Sequence, residues 1–395
     1  MAATSPKSST VTDEPIPLLD LTLQYRALAA TLLPEVEALL ASGQYIGGEA
    51  VRRFEELFSQ FLGGGDLETV SCNSGTDALV LALRALGIQA GDEVITTAFS
   101  FFASAEAIDL VGARPVFVDV DPCTFNLDPQ LLEKSISPRT KAVIPVHLFG
   151  QAANMTQILA IARRHGLVVV EDCAQAVGAC WGGRPVGTWG DIGCFSFFPT
   201  KNLGAAGDGG AVVTRDPQLA RKVRILKEHG QTRQYQHEHI GLNSRLDALQ
   251  AVILSVKLSH LREWNWRRQG IAEYYHRLLQ GIPGLILPQV AAGGNSVWHQ
   301  YTVRVPGSDP TDSRRRDALQ QQLKERGIAS RIYYPIPLHL QPVYRKLGYK
   351  PGDLPNAELC AAQVLSLPCF PELTARQQER VATAIAQILT EQTCP

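Results

Sequence analysis

Neither sign of charge predominates in this chain. Its 395 residues carry 37 Lys and Arg against 38 Asp and Glu, a formal net charge of -1. Without a basic excess little is available to neutralise a phosphate backbone, which argues against general nucleic-acid binding and leaves only a local basic patch. Long apolar runs are also missing, and no segment approaches the roughly 20 residues of a membrane span. The N-terminal stretch MAATSPKSSTVTDEPIP lacks the apolar core of a signal peptide and reads as a disordered tail over residues 1–15. The eight cysteines, at positions 72, 123, 173, 180, 194, 360, 369 and 394, include no C-x-x-C pair. Scattered through apolar segments, they read as buried reduced thiols of a cytoplasmic protein. A zinc site or a disulfide framework is the poorer reading, and no metal is expected.

What is present is ordinary globular material. Hydrophobic residues make up 45% and charged residues 19%, which rules against wholesale disorder. At ~100–200 residues per domain the length suggests two or three domains. Apolar runs at 69–72, 93–97, 115–120, 141–146, 167–170, 194–198 and 210–214 alternate with helical patterns at 77–86, 103–110, 128–135 and 154–165. This rhythm predicts an α/β fold with a mostly parallel sheet and helices on both faces. The run 167–170 is apolar at every position, as suits a strand buried on both sides. A helical pattern over 246–280 ends at Gly281, Pro283 and Gly284. A second α/β unit follows, with strands at 299–305 and 329–333 and helices at 314–326 and 374–390. The reading is a large domain over 16–265 and a small C-terminal domain over 266–395.

Three segments carry chemistry. In Phe195-Ser-Phe-Phe-Pro-Thr-Lys201-Asn-Leu-Gly-Ala-Ala-Gly-Asp-Gly-Gly210 an aromatic strand runs into a loop with one lysine and four glycines. A loop lysine is ordinarily a solvated charge. Here apolar rings would bury it, lower its pKa and leave a neutral, nucleophilic amine suited to a Schiff base. In Leu167-Val-Val-Val-Glu-Asp172-Cys-Ala-Gln175 an acid ends a buried strand, at the edge where open α/β sheets bind ligands. Such a carboxylate can keep a proton on a pyridine nitrogen, which pyridoxal 5'-phosphate (PLP) needs to draw in carbanion electrons. Gln175 is placed to bond that cofactor's phenolic oxygen. In Ser71-Cys-Asn-Ser-Gly75-Thr76-Asp-Ala-Leu a strand turns into an Ala/Leu-rich helix whose first turn suits a phosphate. It is not a P-loop, because no Walker lysine follows.

In this order and spacing the chain resembles the PLP-dependent transferases of fold type I, and within them the DegT/DnrJ/StrS sugar aminotransferases. The resemblance runs from Ile16-Pro-Leu-Leu-Asp through Gly43-Gln-Tyr-Ile-Gly-Gly and the three segments above to Gly241-Leu-Asn-Ser-Arg-Leu-Asp. It implies that Lys201 carries the cofactor and shuttles a proton, and that Asp172 pairs with the pyridine nitrogen. Gly75, Thr76 and Ser196 then hold the phosphate, and Gln175 meets the phenolic oxygen. Phe102 matches the aromatic stacked on the cofactor ring, with Phe99 and Phe101 as alternatives. Asn243 matches a residue that reaches the phosphate of a neighbouring subunit, so a homodimer with shared active sites is implied. Arg245, Arg331 and His339 are candidate substrate-binding residues.

The implied reaction moves an amino group from L-glutamate to a keto-sugar nucleotide, in amino-sugar biosynthesis feeding surface polysaccharide or antibiotic glycosides. Two rivals are a PLP-dependent sugar dehydratase and a non-catalytic regulatory protein on the same scaffold. In relatives of the dehydratase type the lysine is replaced by histidine, whereas Lys201 is present here. The intact lysine, acid and phosphate cup weigh against the regulatory reading.

Overall fold

The computed structural model describes residues 14–391, so all but the last two residues of the expected tail, and Cys394, lie outside the described residues. Seven strands build the central sheet: β1 (Glu68–Cys72), β2 (Glu93–Thr97), β3 (Arg114–Val118), β4 (Thr140–Ile144), β5 (Val168–Asp172), β6 (Ile192–Ser196) and β7 (Gly210–Thr214). Their order is β1-β7-β6-β5-β4-β2-β3. β7 runs antiparallel to both its neighbours, and the remaining pairs are parallel. β1, β5 and β6 therefore point the same way, and their carboxyl ends meet at one edge of the sheet.

Alternation along the strands sorts their side chains onto two faces. Val170, Cys194 and Val212 pack against α3 (Gly75–Ala85), α4 (Ala103–Leu110) and α6 (Pro217–Lys227). Val169, Phe195 and Val213 pack on the opposite face, against α2 (Gly48–Phe61), α5 (Met155–Arg164) and α7 (Ala248–Leu258). The sheet is thus covered on both sides, which is why its strands read as continuous apolar runs. The expected helix at 128–135 is a single α-turn, Pro129–Leu132, continued by the 3₁₀ turn Glu133–Ser135. α1 (Leu21–Ser42) precedes this layer.

A second core joins Ile16 to α8 (Leu261–Leu279), β8 (Tyr301–Arg304), α9 (Arg314–Glu325), β9 (Val364–Leu367) and α11 (Ala375–Glu391). α10 (Pro355–Gln363) leads directly into β9. We retain a division near residue 265 as a proposal. It falls inside α8, whose Leu261 and Trp264 pack in the first core while Ile271 to Leu279 pack in the second.

One expected strand is corrected. Residues 329–333 form only an isolated bridge, Arg331 to Ser366 on β9, because the prolines at 335 and 337 turn the chain away after one pairing. Among the described cysteines five are buried, but Cys123 is exposed and Cys180 partly so, which corrects the expectation of uniform burial. No described helix is long and apolar enough to cross a membrane.

Candidate active site

The shared edge of β1, β5 and β6 opens into a cavity of about 340 Å³, within the range of small-molecule sites. Each strand end delivers one part of it. β1 leads through Ser74 into the first turn of α3, where the Ser74 hydroxyl caps the Asp77 N–H at 3.1 Å. The first-turn N–H groups of α3 have no partner within the helix, and the positive end of its dipole favours an anion there. Gly75 is required by close approach: a Cβ on it would sit 2.6 Å from the Ser196 Cβ. Thr76 and Ser196 line the same wall. Two strands thus assemble a recess of free N–H groups and hydroxyls whose chemistry fits a phosphate group.

β5 ends on Asp172, 5% exposed. One carboxylate oxygen accepts the Ser104 hydroxyl at 2.8 Å and the other the Ala174 N–H at 3.1 Å. Burial pushes its pKa up, opposed by these two hydrogen bonds and by the Lys201 charge. A buried carboxylate with no salt-bridge partner among the described residues suits a ligand that brings its own positive charge, such as a protonated ring nitrogen.

β6 leads to Lys201, in a turn closed by its N–H to the Phe198 carbonyl at 2.9 Å. Burial lowers the Lys201 pKa to about 8, and the Asp172 charge partly offsets that. A depressed pKa alone does not select the residue, since Lys257 is also held at about 8 by burial. Lys257 donates to the Gly204 carbonyl and does not line the cavity, whereas Lys201 does.

Gln175 lines the cavity with its oxygen accepting the Phe149 N–H at 2.8 Å and its nitrogen donating to the Tyr334 hydroxyl at 3.0 Å. Behind Asp172, the fully buried Glu171 accepts from His147 Nε2 and from the N–H groups of Gly187, Trp189 and Gly190. His147 Nδ1 in turn accepts the Ala153 N–H. His147, Glu171 and Cys173 lie close enough together to hold a metal. The first two are already committed to these bonds, which anchor the 187–190 turn beneath the site.

Gly75, Thr76, Asp172, Gln175, Ser196 and Lys201 are therefore brought together. Phe102 is not, and the expectation is corrected. It is the residue before the first turn of α4, and its ring packs on Tyr344 at 5.7 Å between centroids, while the adjacent Phe101 lines the cavity. Phe99 is wholly buried among Phe125, Phe149 and Tyr334. His339 is likewise corrected. It is 1% exposed and its Nε2 bonds the Glu358 carboxylate at 3.1 Å, so it belongs to the packing of that segment. Arg245 pairs with Glu228 at 3.3 Å, and Arg331 and Asn243 are exposed; none of the three lines this cavity. Tyr333 and Tyr334, just beyond Arg331, do line it.

Sequence reasoning missed Phe149, Ser104, Tyr334 and His299. Ser104 carried a signal, standing four residues after Ser100 at the start of a helical pattern. His299 carried none, being a lone histidine at the first position of an expected strand.

Comparison with known proteins agrees with this geometry. Residues 27–386 match the model of the DegT/DnrJ/EryC1/StrS aminotransferase family. A Geobacillus stearothermophilus protein named "pleiotropic regulatory protein" is 48% identical over 94% of this chain and 98% of its own length. An Acidithiobacillus ferrooxidans UDP-N-acetyl-3-dehydro-alpha-D-glucosamine 3-aminotransferase is 47% identical over 95% of this chain and 98% of its own. The crystal structure of Streptomyces venezuelae DesV with a ketimine intermediate is 44% identical, with a TM-score of 0.90, covering 95% of this chain and 99% of that one. The PLP form of a Streptococcus pneumoniae sugar aminotransferase, described as putative, is 28% identical with a TM-score of 0.85, over 92% and 96% of the two chains.

Proposed function

The chain belongs to the DegT/DnrJ/EryC1/StrS aminotransferase family, uses pyridoxal phosphate, and on that premise we propose that it moves the amino group of L-glutamate to the ketone of a nucleotide-linked sugar. The observation that carries this reading is the convergence of the Lys201 amine, the Asp172 carboxylate and the first turn of α3 on one cavity. The relatives named as nucleotide-sugar aminotransferases supply the substrate class.

Bound in this cavity, the cofactor supplies an aldehyde that receives the amino group and a ring that accepts carbanion electrons. The chain supplies the rest. Lys201, neutral in part at physiological pH, is the nucleophile that holds the cofactor and, once released, the base that moves the proton at the substrate carbon. Asp172 keeps a proton on the ring nitrogen. The α3 turn, Gly75 and Ser196 would hold the cofactor's phosphate, and Phe101, Gln175 and Tyr334 would hold its ring. Glutamate enters and 2-oxoglutarate leaves before the keto sugar binds, so the order is ping-pong. Asn243 completes the site of a second chain in a homodimer, a role favoured by its exposure and by its absence from the lining of its own cavity.

The name borne by the Geobacillus relative raises a regulatory reading. The retained Lys201, Asp172 and α3 turn favour turnover. The test loads the protein with amino groups from glutamate and then supplies a panel of keto-sugar nucleotides. Return of the aldehyde form's visible absorbance, with an amino sugar detected by mass spectrometry, is expected for at least one. No return with any of the panel, despite complete loading, would overturn the sugar-nucleotide assignment.

A further inference from the structure

The first turn of α3 carries an acid of its own. Ser74, Gly75, Thr76 and Asp77 follow the pattern of a capping box. In that motif the N-cap hydroxyl accepts the N–H of the third helical residue, whose side chain reaches back to the N-cap N–H. Only the first half of the exchange is made here. The Ser74 hydroxyl accepts the Asp77 N–H at 3.1 Å, but the Asp77 carboxylate accepts the Ser244 hydroxyl at 2.7 Å. Ser244 is wholly buried, and its oxygen also accepts the Asn73 N–H at 3.2 Å. A backbone N–H can only donate, so the single Ser244 hydroxyl hydrogen is left for the carboxylate. The segment around Ser244 is itself anchored. Its N–H donates to the Lys227 carbonyl at 3.0 Å, and the Lys227 amine donates to the Ser71 carbonyl at 2.7 Å. The N–H groups of Ser74, Gly75 and Thr76 are left with no acceptor among the described residues. These three residues line the cavity and Asp77 does not. The backbone of the turn has little room to move, since a Cβ on Gly210 of β7 would overlap the Ser74 carbonyl. What is free to move is the Asp77 side chain.

We propose that Ser244 is a positioning residue for the cofactor phosphate: by holding the Asp77 carboxylate, it keeps the N–H groups that open α3 free for an anion. Released from Ser244, the carboxylate completes the capping box and takes the Ser74 N–H as an internal competitor. It also sets a second negative charge beside the place the phosphate needs. Both anions are drawn to the same donors and the same helix end, so holding one elsewhere leaves that end to the other. This role rests on the α3 turn being the phosphate site, and testing it needs neither glutamate nor a keto sugar.

Equilibrium titration of apo-protein with pyridoxal phosphate and, separately, with pyridoxal, which lacks the phosphate, reads this role. Ser244→Ala should weaken pyridoxal phosphate binding about threefold or more and leave pyridoxal binding unchanged. Removing the competitor as well should reverse the loss. The double variant Ser244→Ala, Asp77→Ala should bind pyridoxal phosphate within about twofold of the unsubstituted protein. A serine that served only the packing would give the opposite, because the second substitution would add to the damage. Unchanged pyridoxal phosphate affinity in folded Ser244→Ala, an equal loss for both ligands, or no recovery in the double variant would overturn the role of Ser244. Equal affinity of the unsubstituted protein for the two ligands would instead refute the α3 turn as the phosphate site. Should Ser244→Ala fail to fold, Asp77→Ala alone decides. It should bind pyridoxal phosphate at least as tightly as the unsubstituted protein, and a loss of about threefold or more would show that the carboxylate supports the site instead of competing for it.

Discussion

Replacing Asp172 with Asn should make Lys201 a weaker base. The Lys201 pKa stands at about 8 against an ordinary 10.5, so charging this amine in the fold costs about 3 kcal/mol more than in water. At pH 7.5 that leaves about a quarter of the amine neutral, against about one part in a thousand for an unshifted lysine. Burial drives the shift and the Asp172 carboxylate opposes it, so removing the carboxylate must lower the midpoint further. Stopped-flow mixing of apo-protein with pyridoxal phosphate measures this, because only the neutral amine attacks the aldehyde. The capture rate should rise through about pH 8 in the unsubstituted protein and through a lower pH in Asp172→Asn. Stability carries the same sign. A lysine with a depressed folded pKa binds fewer protons in the fold than in the unfolded chain. Apo-protein stability should therefore rise between about pH 8 and 10.5, and Lys201→Met should abolish that contribution. A capture midpoint near 10.5, or an upward shift in Asp172→Asn, would refute the reasoning.

Other expectations follow from the same geometry. Glu171→Gln exchanges a carboxylate oxygen that accepts backbone N–H groups for an amide nitrogen that cannot, in a fully buried position. It should cost about 2–4 kcal/mol in denaturant titration, and an unaltered midpoint would show that the 187–190 turn does not depend on it. Mixing Lys201→Ala with Asn243→Ala subunits should restore activity in the mixed dimer, where one site receives native Lys201 from one chain and native Asn243 from the other. With Asn243→Ala impaired alone and exchange confirmed by mass spectrometry, no gain would place the whole site within one chain.

The sheet and its cofactor edge were legible in the sequence because both rest on local signals. The apolar run before Asp172, the aromatic strand before Lys201 and the Ser-Gly-Thr turn before α3 each announce a strand end. Parallel strands then bring those ends together. The errors arise where one residue of rotation or a distant partner decides the outcome. Phe101 and Phe102 are adjacent, and only the start of α4 determines which ring meets the cavity and which meets Tyr344. His339 lies in the right segment, yet Glu358, far along the chain, draws it into the packing. His299 depends on Asn202 and Asn265, and no spacing in the sequence announces that chain of amides.

Peptide mapping shows directly which amine carries the cofactor. Holoprotein reduced with borohydride fixes pyridoxal phosphate to the lysine that holds it, and digestion with mass spectrometry locates the adduct. One adduct per chain on Lys201 is expected. An adduct on Lys257, equally depressed in pKa but bonded to the Gly204 carbonyl, or on the buried Lys227, which donates to the Ser71 carbonyl, would contradict it.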